Sequence, residues 1–153
     1  MEKKRKVIVI PQCILTPGFY NSSQKSPEER KEIIEVLLKA HTGIIQLPCP
    51  HLSAVYSQSY TELSKCITVE FKNKHNSDFY LKQYHKMLKP IISKIEQCKK
   101  HGIQLAGLIG IKDSPCCSIH SSLGKDQKND ESYMQTLIQY LNKESISINM
   151  VNI

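Results

Sequence analysis

Apolar residues along this chain fall into short continuous runs separated by longer stretches in which they recur every three or four positions. Val7 to Ile10, Gly43 to Leu47 and Leu105 to Ile111 are the runs. Their brevity and β-branched content predict strands buried on both faces of a parallel sheet. Ile33, Ile34, Leu37 and Leu38 keep helical spacing, as do Tyr80, Tyr84, Met87, Leu88, Ile91, Ile95 and Cys98. Ser26-Pro27-Glu28-Glu29 has the form of a helix start, with Ser as N-cap, Pro at the first turn and Glu closing a capping box. That helix is expected to reach about His41 and to end at Thr42-Gly43, with Gly43 taking the left-handed conformation.

A second helix is expected from Ser77 to Lys100, kinked or split by Pro90. Leu52 to Asn76 has no clean period and reads as a loop with a short helix near Thr61–Lys65. After the polar loop Lys125 to Asn129, Asp130 to Asn142 predicts a final helix and Ile146 to Val151 a last strand. The order β-α-β-loop-α-β-α-β predicts an α/β fold, a three-layer Rossmann-like domain with a mainly parallel sheet, spanning residues 1–153 as one domain.

Composition narrows the function classes. Apolar residues make up 40% and charged residues 23%, a globular balance. The net charge of +7 is spread over lysines and the Lys3-Lys4-Arg5-Lys6 start. It forms no basic stripe interleaved with aromatics, so nucleic acid is not the expected partner. No run approaches the roughly 20 apolar residues of a membrane span. The apolar run after the basic start is also shorter than the about 7–15 residues of a leader. A cytoplasmic protein is expected, in which the six cysteines are free, metal-bound or catalytic rather than disulfide-bonded.

Each of the three apolar runs leads to proline and then cysteine: Pro11-Gln12-Cys13, Pro48-Cys49-Pro50 and Ser114-Pro115-Cys116-Cys117. Residues beyond the carboxyl ends of parallel strands sit where open α/β sheets bind ligands. Cys98 lies on a helical apolar stripe and reads as core, and Cys66 has no partner spacing. His41, His75, His85 and His101 read as helix-end or surface residues, and His120 as structural. Three loop thiolates suit either an open zinc site or an iron–sulfur cluster with one iron lacking a protein ligand, and spacing does not choose between them.

Val9 to Leu15, Gly43 to Pro50 and Gly107 to Cys117 resemble the 2-thiouracil desulfidase family and its short relatives. The match spans Lys6 to His120 and includes the family's Cys-Pro-Glu and Ser-Pro-Ser-Cys-Gly motifs. His51 stands in place of the motif's carboxylate, Cys116 in place of a serine and Ser118 in place of the glycine.

The resemblance implies a 4Fe–4S cluster on Cys13, Cys49 and Cys117, whose fourth iron takes the substrate sulfur. It implies Ser114 beside the substrate and Cys116 as a neighbour or alternate ligand. The expected reaction is non-redox desulfuration of a thiocarbonyl in a small thiolated heterocycle such as a thiouracil, releasing hydrosulfide. His51 is the candidate proton carrier for the attacking water, or else a ligand that closes the fourth iron. The alternative is a non-catalytic iron–sulfur or zinc-binding protein serving sulfur handling, sensing or electron transfer.

Overall fold

The computed structural model describes residues 4–16, 26–50, 78–112, 114, 116–119 and 132–153. Strands β1 (Lys6–Pro11), β2 (Thr42–Leu47), β3 (Gln104–Gly110) and β4 (Asn149–Asn152) form one sheet in the order β2-β1-β3-β4. Every neighbouring pair is parallel. Helices α1 (Gln12–Leu15), α2 (Pro27–Lys39), α3 (Asp78–Lys100) and α4 (Tyr133–Lys143) flank it. The mixed α/β, Rossmann-like fold with a parallel sheet is therefore the one the apolar pattern predicts.

β1 and β3 are the central strands, and Val9, Ile10 and Leu108 are fully buried there. Leu88, Ile91 and Ile95 of α3 and Tyr133, Met134, Leu137 and Leu141 of α4 complete the core. Each such side chain contributes about 1.5–3 kcal/mol on leaving water. Cys98 packs half-buried against this core, as its helical position predicts.

The start of α2 is as expected. The Glu29 amide donates to Ser26 Oγ at 3.1 Å and the Ser26 amide to Glu29 Oε2 at 2.8 Å. Its end differs. The helix stops at Lys39, and His41 takes the left-handed conformation at φ 51°. Gly43 instead lies within β2, where a Cβ would stand 3.1 Å from Val7 Cγ1 of β1. That glycine serves close strand approach, not helix termination. Leu38 was expected inside but is exposed, together with Val36, so the face of α2 turned to the sheet is narrow and centres on Leu37.

Pro90 does not split α3, which runs unbroken from Asp78 to Lys100. Pro90 is exposed, and so is Lys86, whose carbonyl loses its helical partner and can face water. The last strand begins later than expected. The Ile146 amide still donates to the Leu141 carbonyl at 2.9 Å, after Ser145 at φ 54°, so Ile146 belongs to the end of α4. The loop 52–76 with its short helix, Cys66, His75, His120, the loop 125–129 and the side chain of Tyr80 lie outside the described residues.

Candidate functional site

The parallel strands bring their carboxyl ends to one edge, and β2 and β3 lie on opposite sides of β1. The order therefore switches at β1 and β3, the position at which such sheets hold ligands. Cys13 follows β1 on the single turn of α1, Cys49 follows β2, and Cys116 and Cys117 follow β3. Cys49, Cys116 and Cys117 are buried, and Cys13 is half-buried. None of the five described cysteines is in a disulfide.

Polar side chains near the prolines join these loops. The Cys49 amide donates to Gln12 Oε1 at 3.0 Å, tying the β2 loop to α1. Ser114 Oγ accepts the Cys117 amide at 3.1 Å and lies 3.7 Å from Cys116 Sγ. The Cys116 and Cys117 sulfurs are 3.6 Å apart in a hydrogen bond. A serine before the double cysteine thus closes a tight turn, as serines do when their hydroxyl bonds nearby backbone.

The turn folds back on its own strand. The Ile111 amide donates to the Cys117 carbonyl at 2.9 Å, and the Ile119 amide to Asn152 Oδ1 of β4 at 2.9 Å. Gly110 makes this possible. A Cβ there would stand 2.8 Å from both the Cys117 carbonyl oxygen and Ile119 Cγ1, and would collide with Asn152 Oδ1. The Met134 amide of α4 donates to the Cys116 carbonyl at 3.0 Å, setting the first turn of that helix against the cysteines.

Side-chain hydrogen bonds to Cys116 and then Cys13 raise the Cys117 thiol well above its ordinary range, with burial and the charges of the same two cysteines acting the same way. Cys117 is therefore a protonated thiol at neutral pH, in contact with Cys116. Tyr133 is fully buried, and its phenol is raised first by burial and then by the charges of Cys117, Cys116 and Cys49. Its ring tilts against Tyr84 at a centroid distance of 5.3 Å. Its hydroxyl is buried with no hydrogen-bond partner among the described residues. Tyr133 was not singled out from the sequence. The available signal was a phenol at the first position of the helix after the cysteine loop, behind the N-cap Ser132.

Cys13, Cys49, Cys116 and Cys117 thus come to one edge, with Ser114 among them. The cluster expected on them is corrected. Thiolates on separate irons of a cubane stand apart with the cluster between them, whereas the Cys116 and Cys117 thiols bond to each other. Among the described residues, no group of three or more Cys, His, Asp or Glu side chains could hold a metal ion. This overturns the 4Fe–4S cofactor on Cys13, Cys49 and Cys117, and with it the desulfidase activity on a thiouracil-type substrate that the cluster was to perform. His51 lies outside the described residues.

Fold and site together define a Rossmann-like parallel α/β protein with a buried thiol cluster at the switch point of its sheet. The chain belongs to the family of the uncharacterized protein MJ0003 of Methanocaldococcus jannaschii. It is 30% identical to that protein over 128 residues, which span 81% of this chain and 74% of the relative. No family model and no solved structure matches the chain. Among the described residues, no helix is long and apolar enough to cross a membrane.

Proposed function

We propose that this chain is a non-catalytic sulfur-handling protein whose working site is the thiol cluster of Cys13, Cys49, Cys116 and Cys117. The observation that carries the proposal is the sulfur–sulfur contact of 3.6 Å between Cys116 and Cys117, with Cys13 near enough to raise the Cys117 thiol. Adjacent thiols can pass a sulfur atom from one to the next by attack of one sulfur on the persulfide of the other. The half-buried Cys13 gives the cluster one member within reach of solvent. A cytoplasmic, reducing setting belongs to the proposal, since the site works with its thiols reduced. The motif resemblance to the thiouracil desulfidase family supports kinship at the level of sulfur chemistry.

The test is loading. Reduced protein is incubated anaerobically with inorganic tetrasulfide, freed of excess reagent, and examined by intact mass and cyanide-labile sulfur. Uptake of at least one sulfur atom per chain, lost when Cys13 and Cys117 are both replaced by Ser and retained in Cys98→Ser, is the expected result. Equal uptake by both variants, or none by the wild type, contradicts the proposal.

A further inference from the structure

We infer that the buried Tyr133 hydroxyl is the binding group for a sulfane sulfur carried as a persulfide on Cys117, an inference that rests on the sulfur-handling reading above. Several observations converge on that atom. Tyr133 is 0% exposed, and its hydroxyl has no hydrogen-bond partner among the described residues. A buried hydroxyl without a partner is costly, and native structures keep one where a ligand or water completes it. Ionised Cys117, Cys116 and Cys49 would each raise this phenol further, which puts their sulfurs in the neighbourhood of the hydroxyl. The residue opens α4, and the neighbouring Met134 amide is bonded to the Cys116 carbonyl at 3.0 Å. The positive end of the helix dipole therefore lies against the cysteine loop, where it favours an anion. A terminal persulfide sulfur is anionic, accepts hydrogen bonds and adds one atom to a thiol already in place.

The chemistry balances with a sulfane donor such as inorganic tetrasulfide. The Cys13 sulfur attacks a terminal sulfur of the donor, and the adjacent sulfur–sulfur bond breaks. Hydrogen trisulfide leaves with the electron pair and the thiol proton, and Cys13 becomes a persulfide anion. Cys117 then attacks the outer sulfur of that persulfide, the Cys13 sulfur–sulfur bond breaks, and the Cys117 proton passes to Cys13. The product is a Cys117 persulfide anion beside the Tyr133 O–H, with Cys13 returned to the thiol. The transferred sulfur keeps its oxidation state throughout, so no further oxidant or reductant is needed.

The experiment compares wild type, Tyr133→Phe and, as control, Tyr140→Phe, a tyrosine of α4 whose hydroxyl donates to Glu96 Oε1 at 2.8 Å, each loaded with tetrasulfide and then exposed to cold cyanide. The lifetime of the bound sulfur is read by intact mass. Peptide mapping after alkylation locates it. The expected result is sulfur on Cys117 in all three proteins. Its lifetime should be shortened about tenfold or more in Tyr133→Phe, the scale of a lost hydrogen bond to a charged acceptor, and unchanged in Tyr140→Phe. Wild type should also show a shift of its tyrosine ultraviolet band on loading, present in Tyr140→Phe, which makes the inference testable even if Tyr133→Phe folds poorly. Equal lifetimes in Tyr133→Phe and wild type, or loading without a tyrosine shift, overturn the role of Tyr133 and leave sulfur handling standing. A wild type that takes up no sulfur overturns both.

Discussion

The Met134 amide donates to the carbonyl of Cys116 at 3.0 Å, so the start of a helix and the end of a strand loop are fixed to one another. Through that bond the fully buried Tyr133, one residue earlier, is placed beside the double cysteine. The site is therefore a joint between β3 and α4, and at the same sheet edge α1 and the β2 loop are tied to each other through Gln12 and Cys49.

Ser114→Ala removes the acceptor of the buried Cys117 amide. An orphaned buried donor costs about 1–3 kcal/mol, and the urea unfolding midpoint should fall accordingly. An unchanged midpoint would mean that the turn is held without the hydroxyl.

Gly110→Ala forces a Cβ against the Cys117 carbonyl, Ile119 and Asn152. Backbone obstructs it on one side, so a loss of about 3 kcal/mol or more is expected. The thiol loop should open as well, and alkylation under native conditions should label Cys116 and Cys117 faster than in wild type. Gly43→Ala meets the Val7 side chain at 3.1 Å and the Lys6 carbonyl only at an ordinary 3.5 Å, and should cost less.

Tyr133→Phe should leave the reduced, unloaded protein as stable as wild type or more so. It removes a hydroxyl without a partner among the described residues and keeps the ring that packs on Tyr84. Relief of up to about 1–3 kcal/mol is the scale for such a group. A marked fall in the unfolding midpoint would show that the hydroxyl already serves the unloaded protein.

The raised Cys117 thiol has a consequence for pH. The folded state holds this proton to higher pH than the unfolded chain, in which cysteine ionises near about pH 8.5. Stability from this group is thus fully present below that value. It declines above it by up to about 1.4 kcal/mol per pH unit while only the unfolded chain is ionised. Unfolding midpoints from pH 7 to 10 in Cys117→Ser should fall less steeply than in wild type. Parallel curves would contradict the shift.

The sheet was legible because its central strands carry unbroken apolar runs, and the start of α2 because its capping residues have a local logic. Positions that depend on tertiary contact were not. Gly43 looks like a helix stop and is a contact with Val7, while the left-handed residue is His41. Leu38 keeps helical spacing and still faces solvent. The approach of Cys13, Cys49 and Cys117 was readable from three strand ends. What those cysteines do together was not, because the spacing that suits a cluster equally suits thiols gathered without one. Tyr133 stayed hidden since nothing local marks a tyrosine whose hydroxyl has no partner among the described residues.

The most direct test of the thiol-cluster account is where sulfur goes. Wild-type protein loaded anaerobically with tetrasulfide, alkylated under denaturing conditions and mapped by peptide mass, should carry the added sulfur on Cys117, with Cys98 unmodified. Added sulfur on Cys98 as readily as on Cys117, or none on any of Cys13, Cys49, Cys116 and Cys117, would contradict it.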